Sequence, residues 1–310
     1  MNPLLGSNIL LALGAAVLWG GGDFTGGMGV KRAGGSLGAG LRVVLLSHAA
    51  SFVALLAIAH LRGGAAPHGA LLAWGIAAGV SGGLSLTAFY IALSRGSMGA
   101  SAAISGLLAA AIPAALTLWQ QGPPGVFPLI GFAVAAMAIW LIAASPANGS
   151  KAAPAETSAE DDASRRAARQ TMALAMLAGV GFGFYFIALK MAGPAGVLWP
   201  IASARIGSLT VCSLLLLSLR LCGGEVGGAH VRFGRATVGW ALATALLDTS
   251  GNLIFVAATR AGRLDVAAVL ASLYPASTIL LAALALAERP TRRQAIGMAA
   301  AALAVVFIAL

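Results

Sequence analysis

The amino-acid sequence predicts an all-α integral membrane protein with ten transmembrane helices, arranged as two inverted repeats of five helices. The first observation behind this is composition. Of 310 residues, 59% are hydrophobic and 9% are charged, whereas a soluble domain carries about 25% charged residues. The second is a series of long apolar segments, and the third is a similarity between the two halves of the chain. The formal charge of +10 comes from basic residues that are scattered between the apolar segments, which indicates anchoring at lipid headgroups and no nucleic-acid partner.

The chain divides into ten apolar segments at its charged residues and its Gly/Pro clusters. A membrane-spanning helix needs about 20 mostly apolar residues. The segments cover about residues 8–29, 36–60, 69–93, 98–119, 125–144, 172–191, 197–221, 236–259, 264–286 and 294–310. Each is therefore predicted to be one transmembrane helix.

One segment between the fifth and sixth predicted helices is rich in alanine, proline, serine and charged residues, and it predicts a solvated linker. We therefore divide the chain into three parts. Residues 1–145 form a first five-helix repeat, residues 146–170 a charged flexible linker, and residues 171–310 a second five-helix repeat.

The two halves share landmarks in the same order. Arg95 and Arg260 lie in similar motifs, and Trp74 and Trp240 are separated by nearly the same length of chain. Because each half holds an odd number of predicted helices, the second half must enter the membrane in the opposite direction. Such inverted repeats are found in many secondary transporters.

Several motifs together carry a resemblance to a known family. They are an arginine early in the second helix of each half (Arg42 and Arg205), the pair "ALSRGS" and "AATRAG" after the third helix, and "LALAERPTRRQAIG" at the end of the fourth. In this order the sequence resembles the EamA-like branch of the drug/metabolite transporter superfamily. The resemblance implies a multi-pass protein of the cell membrane that exports amino acids, other metabolites or drugs, often coupled to protons.

The two halves depart from the family pattern differently. The glutamate after the fourth helix is Glu288 in the second half, but Gln120 or Gln121 stands near that place in the first. The proline of the fourth helix is Pro275 in the second half, and Pro113 falls three positions late in the first.

Glycines interrupt the first helix of each half. Gly20, Gly21 and Gly22 are consecutive in the first, and Gly181 and Gly183 lie at the corresponding place in the second. Paired interruptions of this kind indicate broken helices that line a transport site, so these residues are candidates for helix breaks and gating. The alternative is close helix packing through small residues.

Two acidic residues lie within apolar segments and are candidates for ion or proton coupling. Asp23 follows the three glycines, and Asp248 shares a helix face with Thr244 and Asn252 at i, i+4 and i+8 spacing. A charge within the membrane normally faces a cavity or a partner. The alternatives are a helix-end carboxylate for Asp23 and a packing hydrogen bond for Asp248.

Aromatic and polar residues complete the candidate site. Trp19 lies one turn before Asp23 on the same helix face. The candidate substrate-binding residues are Trp19, Tyr90, Tyr185, Asn252 and Tyr274. Arg42 and Arg205 are expected to extend to the headgroups, with an ion pair to Asp23 or Asp248 as the alternative. His48 is expected to form a packing hydrogen bond, with proton relay as its alternative.

The favoured function is a secondary transporter of small organic solutes such as amino acids or drug-like molecules, driven by a proton or other ion gradient. The chain has no Walker-type phosphate-binding motif, and we expect no catalytic residue, cofactor or metal. The partners are a small-molecule substrate and the lipid bilayer, and the protein is expected to be a monomer or homodimer. Two alternatives remain: an intramembrane aspartyl protease with Asp23 and Asp248 as its carboxylates, and a passive channel or lipid scramblase.

The orientation in the membrane stays open. More loop Lys and Arg residues lie on the side opposite the termini, so the positive-inside rule places both termini outside the cell. The family resemblance implies cytoplasmic termini.

Overall fold

A computed structural model describes residues 3–62, 65–95, 98–143, 159–221, 234–286 and 291–309. Within these ranges the ordered elements are helices. They are α1 Pro3–Arg32, α2 Leu37–Arg62, α3 Gly69–Arg95, α4 Met98–Gln121, α5 Val126–Ala143, α6 Ala159–Ala192, a 3-10 turn Gly193–Ala195, α7 Leu198–Leu221, α8 Arg235–Ala261, α9 Leu264–Ala271, α10 Tyr274–Leu286 and α11 Arg292–Ala309. Cys222 and Glu288 lie outside the described residues.

The helices have the length and composition of a membrane protein. Among the described residues, eight candidate spans are long and apolar enough to cross a bilayer, and Val126–Ile142 is a shorter apolar helix. The all-α membrane fold is therefore confirmed, while the count of ten crossings stays a prediction.

The distribution of side chains is that of a protein solvated by lipid. Large apolar side chains are exposed on the outside, including Trp119 at 83%, Leu61 at 84% and Leu221 at 77% of their surface. Charged and polar side chains are buried inside, among them Asp23, His48, Arg205, Asp248 and Asn252. In water the exposed apolar surface would drive association, so the outer face belongs against lipid.

The ninth predicted helix is broken, where the sequence predicted a single helix over 264–286. It ends as α9 at Ala271 and resumes as α10 at Tyr274, directly before Pro275. Proline has no N–H for the preceding turn, and its ring clashes with that turn. Pro113 has the same chemistry, but α4 runs through it without a break in its assignment, so proline alone does not decide where a helix breaks here.

The sixth helix begins earlier than predicted. It starts at Ala159, inside the segment predicted as a flexible linker. The segment is alanine-rich, and alanine is the strongest helix former. The helix has 34 residues, which corresponds to about 51 Å at 1.5 Å per residue, more than the bilayer core of about 30 Å. Residues 165–170 are exposed, consistent with a first part outside the hydrocarbon. The boundaries of the two repeats stay a prediction.

Helices of one half pack against helices of the other half in matching pairs, as expected for two related repeats. The first helix of each half packs against the third helix of the other, α1 on α8 and α6 on α3. The second helices, α2 and α7, pack against each other, and so do the last helices, α5 and α11. Arginines at corresponding positions of the two halves make similar hydrogen bonds. Arg95 Nε donates to the Gly35 carbonyl at 3.2 Å, and Arg260 Nη1 donates to the Gly193 carbonyl.

The helix breaks predicted at the glycines are wrong. Gly20, Gly21 and Gly22 lie in the continuous helix α1, and Gly181 and Gly183 lie in the continuous helix α6. Their role is close packing. A Cβ atom on Gly20 would lie 2.8 Å from the Tyr274 carbonyl oxygen, and one on Gly183 would lie 2.8 Å from the Ile112 Cβ. Small residues let helices in lipid approach this closely.

Candidate functional site

A cavity of about 500 Å³ of empty space lies among helices from both halves of the chain. Six predicted site residues line it: Trp19, Asp23, Tyr185, Asp248, Asn252 and Tyr274. The cavity is therefore the site at which the chemistry of these residues can meet a solute.

Helix α3 contributes a smooth wall of glycines to the cavity. Gly79, Gly82 and Gly83 line it. A Cβ on Gly82 would lie 2.9 Å from the Tyr185 Cδ2, and one on Gly79 would lie 2.8 Å from the Ala204 Cα. These glycines therefore allow helix α7 and the Tyr185 ring to pack against α3. The alignment that pairs Arg95 with Arg260 also pairs Gly79 with Thr244 and Gly83 with Asp248, so a polar helix face in the second half corresponds to a smooth one in the first.

Arg205 lies at the centre of a buried polar network. Its Nη2 donates to the Asp248 Oδ2 at 2.7 Å and to the Thr249 hydroxyl at 3.0 Å. Only 2% of the Arg205 surface is exposed. The expectation that Arg205 extends to the headgroups is therefore wrong, and the alternative, an ion pair with Asp248, is correct. A buried arginine needs such a partner because an unpaired charge in a low dielectric is very costly.

The hydrogen bonds of His48 define its protonation state. The Arg205 Nη1 lies 2.9 Å from the His48 Nε2, and because a guanidinium can only donate, Nε2 must accept. The His48 Nδ1 then carries the proton and donates to the Ser208 hydroxyl at 2.7 Å. Ser208 in turn donates to the Arg205 carbonyl at 3.2 Å. The geometry therefore assigns a neutral His48 that is held by both of its ring nitrogens.

Asn252 connects this network to the aromatic side of the cavity. Its Nδ2 donates to the Asp248 Oδ2 at 3.0 Å, and its Oδ1 accepts a hydrogen bond from the Tyr185 hydroxyl at 2.7 Å. The i, i+4 spacing in the sequence thus brings Asp248 and Asn252 into contact, as expected. Thr244, one turn earlier, instead bonds to Thr25 on α1 at 2.9 Å.

Asp23 differs from Asp248 in having no fixed partner. It is 7% exposed and lines the cavity. Among the residues that the structure describes, none forms a hydrogen bond or ion pair with its carboxylate. Asp248, by contrast, accepts from both Arg205 and Asn252. The proton-sharing pair of an aspartyl protease needs both carboxylates to face one proton, whereas in this structure the Asp248 carboxylate is directed to Arg205 and Asn252.

Aromatic rings form one side of the cavity. The Trp19 and Phe186 rings stack with centroids 5.2 Å apart and planes at 4°. Phe255 packs behind both, with its centroid 4.6 Å from that of Phe186. Tyr274 lies at the break between α9 and α10 and bonds to the Ser105 hydroxyl at 2.5 Å. This wall gives an apolar, flat surface next to Asp23.

Tyr90 does not line the cavity. It is 1% exposed, and its ring occupies the space that a side chain at Gly26 would take. Its hydroxyl has no hydrogen-bond partner among the described residues.

The sequence reasoning missed Phe182 and Phe186, which do line the cavity. Their i, i+4 spacing, and the alignment of Trp19 with Phe182 between the two halves, are the signals that could have identified them.

No cluster of three or more His, Cys, Asp or Glu side chains that could hold a metal ion occurs in the described part of the chain. The charged chemistry of the cavity is therefore that of Asp23, Asp248 and Arg205.

Comparison with known proteins agrees with this architecture. Residues 169–310, which cover the second predicted repeat, match the sequence model of the EamA-like transporter family. These residues belong to the EamA-like transporter family. The prediction made from the motif order is thereby confirmed for this half of the chain, and the match indicates a multi-pass membrane transporter of the drug/metabolite type.

A structural neighbour extends the comparison beyond the matched range. A solved protein crystal structure aligns over 97% of this chain and 96% of its own, with a TM-score of 0.66 and 15% sequence identity. At this identity the similarity shows the fold alone, and it shows it for nearly the whole chain. The comparison with curated proteins gives no match.

Proposed function

We propose that this EamA-like chain is a secondary transporter that exports small organic metabolites, such as amino acids or drug-like solutes, across the cell membrane. The observation that carries the proposal is the central cavity with one unpaired carboxylate, Asp23. A charge inside a membrane protein without a partner is expensive, so its presence points to a transient partner. A proton or a bound solute would be that partner.

The route is alternating access, in which the cavity opens to one side of the membrane and then to the other. Trp19, Asp23 and the glycines of α3 come from the first half, while Tyr185, Arg205 and Asp248 come from the second. Inverted halves that surround a common site can exchange conformations in this way. The direction of transport and the cell membrane as location rest on the family resemblance.

The gradient acts through Asp23 rather than through Asp248. The Asp248 carboxylate is already compensated by Arg205 and held by Asn252, so uptake of a proton there would leave a buried guanidinium without its counter-charge. Asp23 carries no such constraint. We therefore assign proton coupling to Asp23 and a positioning role to Asp248.

Transport in proteoliposomes tests this proposal. The purified protein is reconstituted, a pH gradient is imposed, and uptake of a panel of amino acids and aromatic solutes is measured for the wild type, Asp23→Asn and Asp23→Glu. We expect gradient-driven flux in the wild type, its loss in Asp23→Asn and its partial retention in Asp23→Glu, because only Glu keeps a titratable carboxyl. Trp119→Leu is the control, since Trp119 is 83% exposed on the outer surface, and it should transport as the wild type does. Unchanged gradient-driven flux in Asp23→Asn would refute the assignment.

A further inference from the structure

We propose that the cavity selects organic monocations with a flat apolar group, whose positive nitrogen pairs with Asp23 while the flat group lies on the ring of Trp19. The inference rests on the proposed function, because it names the solute class of that same site. It goes beyond the general solute class above in predicting a preferred charge and shape.

The first argument is the charge balance of the cavity walls. The charged side chains that line it are Asp23, Asp248 and Arg205. The Arg205 guanidinium and the Asp248 carboxylate are 2.7 Å apart and compensate each other. His48 is neutral by its hydrogen-bond geometry. One negative charge, that of Asp23, is therefore left for a ligand to match, and a solute with a single positive charge restores neutrality.

The second argument concerns the hydrogen-bond donors, which a carboxylate-bearing solute would need. The Arg205 Nη atoms already donate to His48, Asp248 and Thr249. The remaining Arg205 nitrogen, Nε, has no partner among the described residues, but it is buried away from the cavity surface. The Tyr185 hydroxyl is likewise in use, donating to Asn252. An anionic or zwitterionic solute would therefore place its carboxylate near Asp23 without a free cation to receive it.

The third argument is the shape of the site around Asp23. Trp19 precedes Asp23 by four residues on the continuous helix α1, so both side chains leave the same helix face. A nitrogen held by Asp23 is then adjacent to the Trp19 ring, and cations bind favourably over such rings. Gly79, Gly82 and Gly83 also line the cavity and carry no side chains. A flat ring on the solute would lie against the aromatic side of the cavity, which Trp19 and Phe186 form.

Equilibrium binding to the purified protein in detergent provides the test. The ligands form a matched series: phenethylamine as the aromatic cation, phenylalanine as the zwitterion, phenylacetate as the anion and 2-cyclohexylethylamine as the non-aromatic cation. Isothermal titration calorimetry measures the affinity at one fixed pH. We expect phenethylamine to bind about tenfold or more tightly than phenylalanine and phenylacetate. It should also bind roughly 2–10-fold more tightly than 2-cyclohexylethylamine, which is the range of an aromatic ring pair, because both amines carry the same ammonium group.

Two variants locate the binding. Asp23→Asn should weaken phenethylamine about tenfold or more, and Trp19→Leu should remove the advantage of phenethylamine over 2-cyclohexylethylamine. Trp119→Leu is the matched control, because Trp119 is 83% exposed on the outer surface, and it should bind as the wild type does. Asp23→Glu guards against a folding defect in Asp23→Asn, since it keeps the charge and should keep the preference for cations.

The outcomes separate this inference from the proposed function. Preferential binding of phenethylamine without any gradient-driven flux would support the inference and count against secondary transport. Gradient-driven flux of phenylalanine or phenylacetate, with no preference for phenethylamine in binding, would overturn the inference and leave the transport proposal standing. An affinity for phenethylamine that is equal in the wild type and in Asp23→Asn would also overturn it.

Discussion

Removing the two charges of the Arg205–Asp248 pair one at a time, and then together, tests whether the pair is a compensated unit. Arg205→Met leaves the Asp248 carboxylate with only the Asn252 amide as donor, and Asp248→Leu leaves the guanidinium with His48 and Thr249. Breaking a buried pair from one side costs about 3–5 kcal/mol, because an uncompensated charge stays behind. The Asp248 side chain is 11% exposed at the cavity, so water offsets part of this, and we expect about 3 kcal/mol for each variant.

The double variant Arg205→Met/Asp248→Leu removes both charges and should cost about as much as one single variant. It leaves the acceptor nitrogen of His48, the hydroxyl of Thr249 and the amide of Asn252 each without one partner, at about 1 kcal/mol each. The expected total of about 3 kcal/mol compares with about 6 kcal/mol for additive effects. The pair is therefore expected to show a coupling energy of about 3 kcal/mol, within the range measured for close charge pairs.

Unfolding of the detergent-solubilised protein, followed by the loss of helical circular dichroism as sodium dodecyl sulfate is added, measures these free energies. Arg42→Met is the matched control, because Arg42 is the repeat counterpart of Arg205 but is half-buried. It has no hydrogen bond or ion pair among the described residues, and its change should stay below about 1 kcal/mol. If the double variant is destabilised relative to the wild type by the sum of the two single-variant costs, the pairing is refuted.

Three further predictions concern the packing around the cavity. Gly79→Ala should lower the free energy of unfolding by about 1–3 kcal/mol, measured in the same way, because its Cβ meets the α7 backbone, whereas Gly239→Ala, with nothing within 4 Å, should not. Tyr90→Phe should transport at the wild-type rate in proteoliposomes, because the Tyr90 side chain lies outside the cavity and its hydroxyl has no partner among the described residues. Arg260→Ala should lower the free energy of unfolding less than Arg95→Ala does, measured in the same way, because Lys190 also donates to the Thr259 carbonyl and still joins α6 to α8.

Most helix boundaries could be predicted from the sequence because the chain changes composition sharply where it leaves the membrane. The third helix, predicted at 69–93, is observed at Gly69–Arg95, and the seventh, predicted at 197–221, is observed at Leu198–Leu221. The break at Ser272 could not be predicted, because Pro275 and Pro113 look alike in sequence while only one interrupts its helix. The early start of α6 was missed because charge and solvation do not prevent an alanine-rich segment from being helical.

The site residues that carry charge within apolar segments could be predicted from the sequence. The direction in which a side chain such as Arg205 extends could not. Asp23 and Asp248 were identified because a carboxylate in an apolar segment is costly and normally faces a cavity or a partner. The orientation of Arg205 was not, because Arg42 has the same position in the other half. The difference lies on the next helices: Asp248 stands opposite Arg205, whereas the repeat counterpart of Asp248 is Gly83. Arg205 is buried because it has a carboxylate partner in Asp248, whereas Gly83 offers Arg42 no such partner. The side chains of the two arginines therefore differ in burial although their sequence positions correspond.

The asymmetry between the halves also limits which contacts transport can change. Arg205 and Asp248 both belong to the second half, but α7 packs mainly on α3 and α8 mainly on α1, so their ion pair joins two helices that are each held by the first half. His48 belongs to the first half, and its bonds to Arg205 and Ser208 are the polar contacts that cross from the first half to this ion pair among the described residues. Asp23 also belongs to the first half and faces the same cavity. A rearrangement of α1 and α8 against α3 and α7 would therefore act on the Arg205–Asp248 pair itself and would change the distance from Asp23 to Arg205.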